Sequence, residues 1–434
     1  MDMRAAGGVA WRFQLYIEHL SEAVGHADRH LPLREYCTGL LLPGERKSVE
    51  PMAARVAPGE VGAKHQSLHH FVAKAPWEET KLIASVRSFV LPKMESRAPI
   101  RAWIVDDTGM PKKGKHSVGV ARQYCGELGK QDNCQVAVTL SVASDHASLP
   151  IACRLYLPEA WANDKTRRQT AGVPKEIAFQ TKPQIALGQI EQATADGVPR
   201  GVVLADAGYG NDTALRSALT AMGLVYAVGV QGSTAVWASG TAPLPKKEWS
   251  GKGRPTKRLQ RDATTKPLSA KALAQDLPRK AWKTVAWREG SKGALHSRFA
   301  AVRVRPSHRD TLRSEPHAEE WLLIEWPEGE KEPAKYWLST LASSTPMATL
   351  VDTAKLRWRI ERDFQDLKQE IGLDHYEGRG WRGFHHHAAL SIAAYGFLIA
   401  ERSPIPPSAP LIRALRRRIP PQEEGFRPRG AAAA

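Results

Sequence analysis

The chain has 434 residues, with 62 lysines and arginines against 45 aspartates and glutamates, for a formal net charge of +17. Such a length exceeds one average domain and predicts a globular multidomain protein, while the basic excess favours a polyanionic partner, nucleic acid ahead of an anionic membrane surface. Although 42% of the residues are hydrophobic, no apolar run approaches the roughly 20 residues that span a bilayer, which excludes a transmembrane protein.

The N-terminus, MDMRAAGGVAWRFQLYIEHL, has an acid at position 2, an arginine at position 12 and no apolar block before a cleavage site. It does not read as a secretory signal, so a cytoplasmic location, associated with the nucleoid, is expected. Cys37, Cys125, Cys134 and Cys153 form no C-x-x-C pair, which argues against a zinc ribbon or a disulfide framework and for reduced thiols in the core.

Residues 1–95 are expected to form an all-α domain, DNA-binding if its basic loop meets phosphates and otherwise presenting a solvated surface there. WRFQLYIEHLSEAVGHA and WEETKLIASVRSFVLPKM repeat apolar positions at helical spacing, and the segment between them carries Arg46, Lys47 and Arg55 in a basic loop. Residues 96–224 change character. RAWIVDDTGMP is a β-rich run ending in two acids, QVAVTLSVASD and LPIACRLYLP are further strands, and PQIALGQIEQATADG is a helix leading into the strand of GVVLADAGYG. A sheet with crossover helices, an α/β fold, accounts for this pattern.

Residues 225–345 predict a β-rich insertion with many tryptophans, crossed by the basic stretch PLPKKEWSGKGRPTKRLQR. Helical periodicity returns over 346–402, and 403–434 is a Pro- and Arg-rich tail expected to be disordered.

Phosphodiester cleavage by two metal ions needs several carboxylates converging on ions about 3.5–4 Å apart, and hard ions such as Mg²⁺ prefer oxygen ligands. Carboxyl ends of strands are favoured places for such groups, and Asp106 and Asp206 both occupy that kind of position. Asp107 competes with Asp106, because period two sends neighbours to opposite faces and the count alone cannot choose; either acid could instead cap a turn at Thr108 and Gly109. Gly208 and Tyr209 are expected to shape the turn that presents Asp206.

The third acid comes from helix geometry in TLVDTAKLRWRIERDFQDLKQEIGL. With Glu361 as reference, at about 100° per residue, Arg357 lies roughly 40° away and Lys368 roughly 20° away, whereas Glu370, Asp363 and Asp366 point roughly 140–180° away. Leu356, Ile360, Phe364, Leu367 and Ile371 form the buried stripe, with Glu361 at its border. The alternative is a solvated Arg357/Glu361 ion pair.

Three segments, WIVDDTGMPKKGKHSVGVARQYCGELGK, VVLADAGYGND and LRWRIERDFQDLKQEIGLDHYEGRGWRGFHHHAALSIAAYGFL, make the chain resemble bacterial insertion-sequence transposases of the DDE superfamily. The resemblance implies an RNase H-like catalytic core interrupted by a β-rich insertion. It implies Asp106, Asp206 and Glu361 as catalytic acids holding two Mg²⁺ ions, with Mn²⁺ as a substitute and Asp107 as the alternative first ligand. In one branch of that superfamily the glutamate sits in a Tyr-x2-Arg-x3-Glu-x6-Lys signature. Arg357, Glu361 and Lys368 fit it, while Ala354 stands at the tyrosine position.

Transposon ends and target DNA are then the partners of a dimer that cuts and rejoins DNA. The alternatives are an inactive DNA-binding derivative, or a nuclease without strand transfer. Arg357, Lys368, Lys112, Lys113 and Lys115 are the expected DNA contacts. Trp237, Trp249, Trp282, Trp287, Trp321, Trp326 and Trp337 are candidates for stacking a flipped base, although core packing suits most of them better. His385, His386 and His387 point in different directions on a helix and cannot chelate one ion together, which leaves a DNA-facing or a structural role.

Overall fold

A computed structural model describes residues 8–246, 258–290 and 293–403. The expected disordered tail and Trp249 lie outside the described residues. Five helices come first: α1 (Val9–Val24), α2 (His30–Leu41), α3 (Val49–Val56), α4 (Val61–Ala73) and α5 (Glu79–Glu95). The strands β1 (Ala102–Pro111), β2 (Ala121–Cys125), β3 (Lys130–Ala143) and β4 (Ser148–Leu155) follow. Short helices α6 (Glu159–Ala162) and α7 (Lys165–Ala171) lead to α8 (Lys182–Ala195), β5 (Val202–Ala205), α9 (Ala207–Gly210), α10 (Thr213–Ala221) and β6 (Tyr226–Val230). Beyond these come β7 (Ala235–Trp237), β8 (Leu268–Ser269), α11 (Ala270–Gln275), β9 (Lys283–Gly290), β10 (Gly293–Pro306), β11 (Glu320–Trp326) and β12 (Lys335–Ser339). The chain closes with α12 (Met347–Lys355), α13 (Trp358–Gln365) and α14 (Trp381–Arg402).

One sheet of 12 strands organises the molecule, in the order β2-β3-β1-β5-β6-β12-β11-β10-β7-β8, with β4 also on β3 and β9 also on β10. β5 lies parallel to β1 and to β6, while β3 is antiparallel to β1. The apolar runs WIV and VVLA suit such central strands, because crossover helices cover both faces and leave no solvated side. The β-rich stretch is not a unit apart: Tyr226–Val230 belongs to the central parallel strands, and β12, β11 and β10 extend the same sheet from its edge. α12 fastens that extension through the Lys355 ammonium, which reaches both Glu325 oxygens at 2.7 Å.

The helical N-terminus likewise shares its core with the C-terminus. α14 is apolar nearly all round, the pattern of an interior helix, and of its residues from Trp381 to Glu401 only Arg382 is exposed. Around it pack α2, α4, α5 and β4. The Tyr16 hydroxyl donates to the Ala393 carbonyl at 2.8 Å, and Arg12 pairs with Glu401 at 2.6 Å.

The three consecutive histidines are part of this packing and face no solvent. His385 bonds the Trp381 carbonyl and the Leu155 amide, and His386 stacks on Trp77 at 3.6 Å. His387 accepts from the Tyr36 hydroxyl and donates to the Gly372 carbonyl, both at 2.9 Å, in the neutral tautomer that satisfies both. Burial pushes the His387 imidazole down to about 4, against about 6.5 in an unfolded chain. As pH falls from about 6.5 towards 4, the unfolded state takes up a proton that the folded one refuses, so stability is present above that window and is lost through it. Thermal unfolding followed from pH 8 to 4.5 should show this decline, and His387→Gln should make it shallower, His386 being held down in the same way, while lowering the midpoint at pH 8.

Past Gln365 the α13 helix widens into a π-helical turn, Asp366–Ile371, closed by Gly372 at φ 86°. A Cβ at Gly372 would lie 2.8 Å from the Lys47 Cβ, so glycine is needed both for the left-handed backbone and for that approach.

Candidate active site

β1 sorts the two neighbouring acids. Ala102 and Ile104 pack with Leu204, Leu356 and Ile360 on the α13 side, whereas Trp103 and Val105 belong to the core on the other face. Alternation then sends Asp106 towards α13 and Asp107 towards α8. Contrary to the sequence pattern, the acids do not end the strand: β1 runs on to Pro111 in its pairing with β3. What ends before them is the parallel pairing, whose last partners are Ile104 and Leu204. Asp106 therefore stands two residues beyond that pair on one strand, as Asp206 does on the other.

Asp206 caps α9. Its Oδ1 accepts from the Gly208 amide at 2.8 Å and from the Tyr209 amide at 3.4 Å. The turn lies hard against β6, since a Cβ on Gly210 would sit 1.9 Å from the Gly229 carbonyl oxygen. Gly208 and Tyr209 thus shape the turn as expected, and Gly210 fixes its depth.

Arg357, at the start of α13, joins two of the three predicted acids. Its Nη1 donates to Asp106 Oδ2 at 2.6 Å and its Nη2 to Glu361 Oε1 at 2.9 Å. The Asp106 side chain is 14% exposed and that of Glu361 61%. Burial raises the Asp106 carboxyl to about 7; Arg357 opposes the rise, and repulsion from Asp206 adds to it. Ala354, at the signature's tyrosine position, is buried in α12 among Phe299, Leu323 and Trp337 and does not reach this site.

Asp106, Asp107, Asp206, Arg357, Glu361 and Lys368 line one open cleft of about 870 Å³. The π-helical turn brings Lys368 over β1, where it donates to the Gly109 carbonyl at 2.6 Å and pairs with Glu127 at 2.8 Å. Glu127, Tyr124, Tyr156 and Lys182 also line the cleft, and none stands out in the sequence. Only the position of Lys182 at the head of the helix preceding β5 offers a signal. The lining holds five carboxylates (Asp106, Asp107, Glu127, Asp206, Glu361) against three cations (Lys182, Arg357, Lys368). A carboxylate excess in a chain of net charge +17 suits a cation. Among the described residues, no three Asp, Glu, His or Cys side chains are grouped closely enough to hold a metal ion as they stand; here the guanidinium of Arg357 bridges Asp106 and Glu361.

Other expected contacts lie elsewhere. Lys112 is drawn inward and donates to the Asp374 and Tyr376 carbonyls at 3.2 and 2.9 Å, and burial lowers its pKa, so it fastens a loop at the edge of a separate hollow. Lys113 and Lys115 are exposed, but Lys113 borders the same hollow with Arg46, Asp374 and Glu377. None of the described tryptophans lines the cleft. Trp237 and Trp337 are buried, Trp282 packs edge-on against Trp326, Trp287 does so against Phe299, and Trp321 lies beneath Arg303.

Residues 19–294 match a family model described as DDE superfamily endonuclease. Asp106 and Asp206 fall within that segment and Glu361 beyond it. The chain is also similar to a probable transposase for insertion sequence element IS701 from Microchaete diplosiphon, 36% identical over 145 residues. That stretch is 33% of this chain and 35% of the relative, so the chain spans about a third of the relative's length.

Proposed function

We propose that this chain, which belongs to the DDE superfamily of endonucleases, is an insertion-sequence transposase that cleaves DNA at the element's ends and joins the freed 3′-hydroxyls to target DNA. The observation that carries the reading is the cleft in which Arg357 ties the partly buried Asp106 to Glu361 while Asp206 faces the same space. An RNase H-like core is supported by the order β4-β3-β1-β5-β6, with β1, β5 and β6 parallel and β3 reversed.

Asp106, Asp206 and Glu361 would hold divalent metal, Mg²⁺ by their all-oxygen chemistry, with Mn²⁺ able to replace it. When bound, the metal supplies Lewis-acid polarisation of the scissile phosphate and acidifies water. Arg357, released from the carboxylates, offers a planar pair of donors to the DNA phosphate, and Lys368 offers a point charge beside it. Exposed Lys113, Lys115 and Arg46 would take phosphates further along the duplex. A DNA-bound dimer follows from the need to cut two ends in concert.

Asp106 ligates only when ionised. With its carboxyl raised to about 7, the ionised fraction falls as pH drops below that value, so cleavage at limiting metal should fall from pH 8 to pH 6. A flat profile measured over that range contradicts the assignment. Joining is tested by incubating the protein with labelled element ends, a supercoiled target and Mg²⁺. Labelled ends joined to the target are expected; cleaved ends that never join favour a nuclease without strand transfer.

A further inference from the structure

The second acid of the pair has its own partners. Asp107 Oδ2 accepts from the Tyr209 hydroxyl at 3.1 Å and from Lys182 Nζ at 3.0 Å, on the face of β1 turned away from Glu361. Tyr209 is 2% exposed, and its amide donates to Asp206 Oδ1. One residue therefore touches both acids, Asp206 through its backbone and Asp107 through its ring. Behind it the turn rests on β6 at Gly229. That leaves the Tyr209 hydroxyl as the tie from the turn across to β1. Lys182 neutralises Asp107, as suits a carboxylate that anchors a hydrogen bond and leaves cation binding to others.

We propose that Asp107 is a positioning residue: through Tyr209, and with its charge balanced by Lys182, it fixes the 206–210 turn so that Asp206 faces the cleft. The inference rests on the metal-dependent reading above and gives the adjacent acids different tasks, Asp106 towards metal and DNA and Asp107 towards the geometry of Asp206. Groups that orient a ligand carboxylate commonly change metal affinity by about 10–100-fold when removed.

The test is Mn²⁺ binding to the purified full chain without DNA, by calorimetry, alongside the Mn²⁺ concentration that half-saturates cleavage. Tyr209→Phe keeps the ring and loses the hydroxyl. Asp107→Ala loses the acceptor, whereas Asp107→Asn keeps an oxygen that can accept from both partners. Tyr209→Phe and Asp107→Ala should each weaken Mn²⁺ binding about 10-fold, and Asp107→Asn should recover most of what the alanine loses. Asp107→Asn as deficient as Asp206→Ala would make Asp107 a ligand and overturn the proposal. Wild-type Mn²⁺ binding in Tyr209→Phe would also overturn it, and that conservative variant decides even if the Asp107 variants fail to fold. Undiminished Mn²⁺ binding in Asp206→Ala would instead remove the metal-site reading itself.

Discussion

Glu361→Ala should abolish DNA cleavage, by about 1,000-fold or more, while leaving the protein folded. Its side chain is 61% exposed and accepts from Arg357 four residues earlier. Exposed pairs of that spacing contribute about 0.3–0.5 kcal/mol, so the thermal midpoint should hardly move. A metal ligand is worth several kcal/mol of charge stabilisation at the reacting phosphate, and each 1.36 kcal/mol is tenfold in rate. The cleavage rate separates the two roles: a solvated ion pair predicts the same small change in midpoint but no loss of cleavage. Measuring the unfolding midpoint and cleavage rate on the same preparation distinguishes them, and a variant that cuts at the wild-type rate leaves Glu361 a surface residue.

Arg357→Ala should damage both fold and activity. Arg357 and Asp106 are 25% and 14% exposed, and burial already disfavours the Asp106 carboxylate. Removing the counter-charge of such a pair costs about 3 kcal/mol, because the carboxylate stays desolvated without compensation. The Asp106 carboxyl then moves further up, which deepens the loss of its ionised form at neutral pH. Cleavage should fall by about 100-fold, a typical cost for one preorganised donor at developing charge. Adding Asp106→Asn should restore much of the stability and none of the cleavage, since contacting residues are not additive. Denaturant unfolding of the two single variants and the double variant checks this; additive losses would mean that the pair is not coupled.

Local patterns carried much of this site. The apolar runs before Asp106 and Asp206 read correctly as strands, and the stripe Leu356, Ile360, Phe364, Leu367 and Ile371 is buried as its helical spacing predicts. Alternation along β1 separates Asp106 from Asp107, yet only the docking of α13 on one face and α8 on the other says which acid meets Glu361. A uniform 100° wheel cannot carry through the break between α12 and α13, nor through the π-helical turn. Lys368 reaches the cleft through that turn, so its agreement with the wheel is partly fortuitous. Lys112 reads as a cation beside the acids, but the carbonyls that bury it come from residues 374 and 376, a distant pairing that no local pattern encodes. The continuity of the β-rich stretch with the central sheet is equally non-local, because it depends on β12 returning to pair with β6.

The most direct test is cleavage of end-labelled element DNA by the purified chain in Mg²⁺, with wild type beside Asp106→Ala, Asp107→Asn, Asp206→Ala and Glu361→Ala. Wild type is expected to cleave and to stop with a chelator, the Asp106, Asp206 and Glu361 variants not to cleave, and Asp107→Asn to keep residual cleavage. Cleavage retained by Asp206→Ala or Glu361→Ala would contradict it.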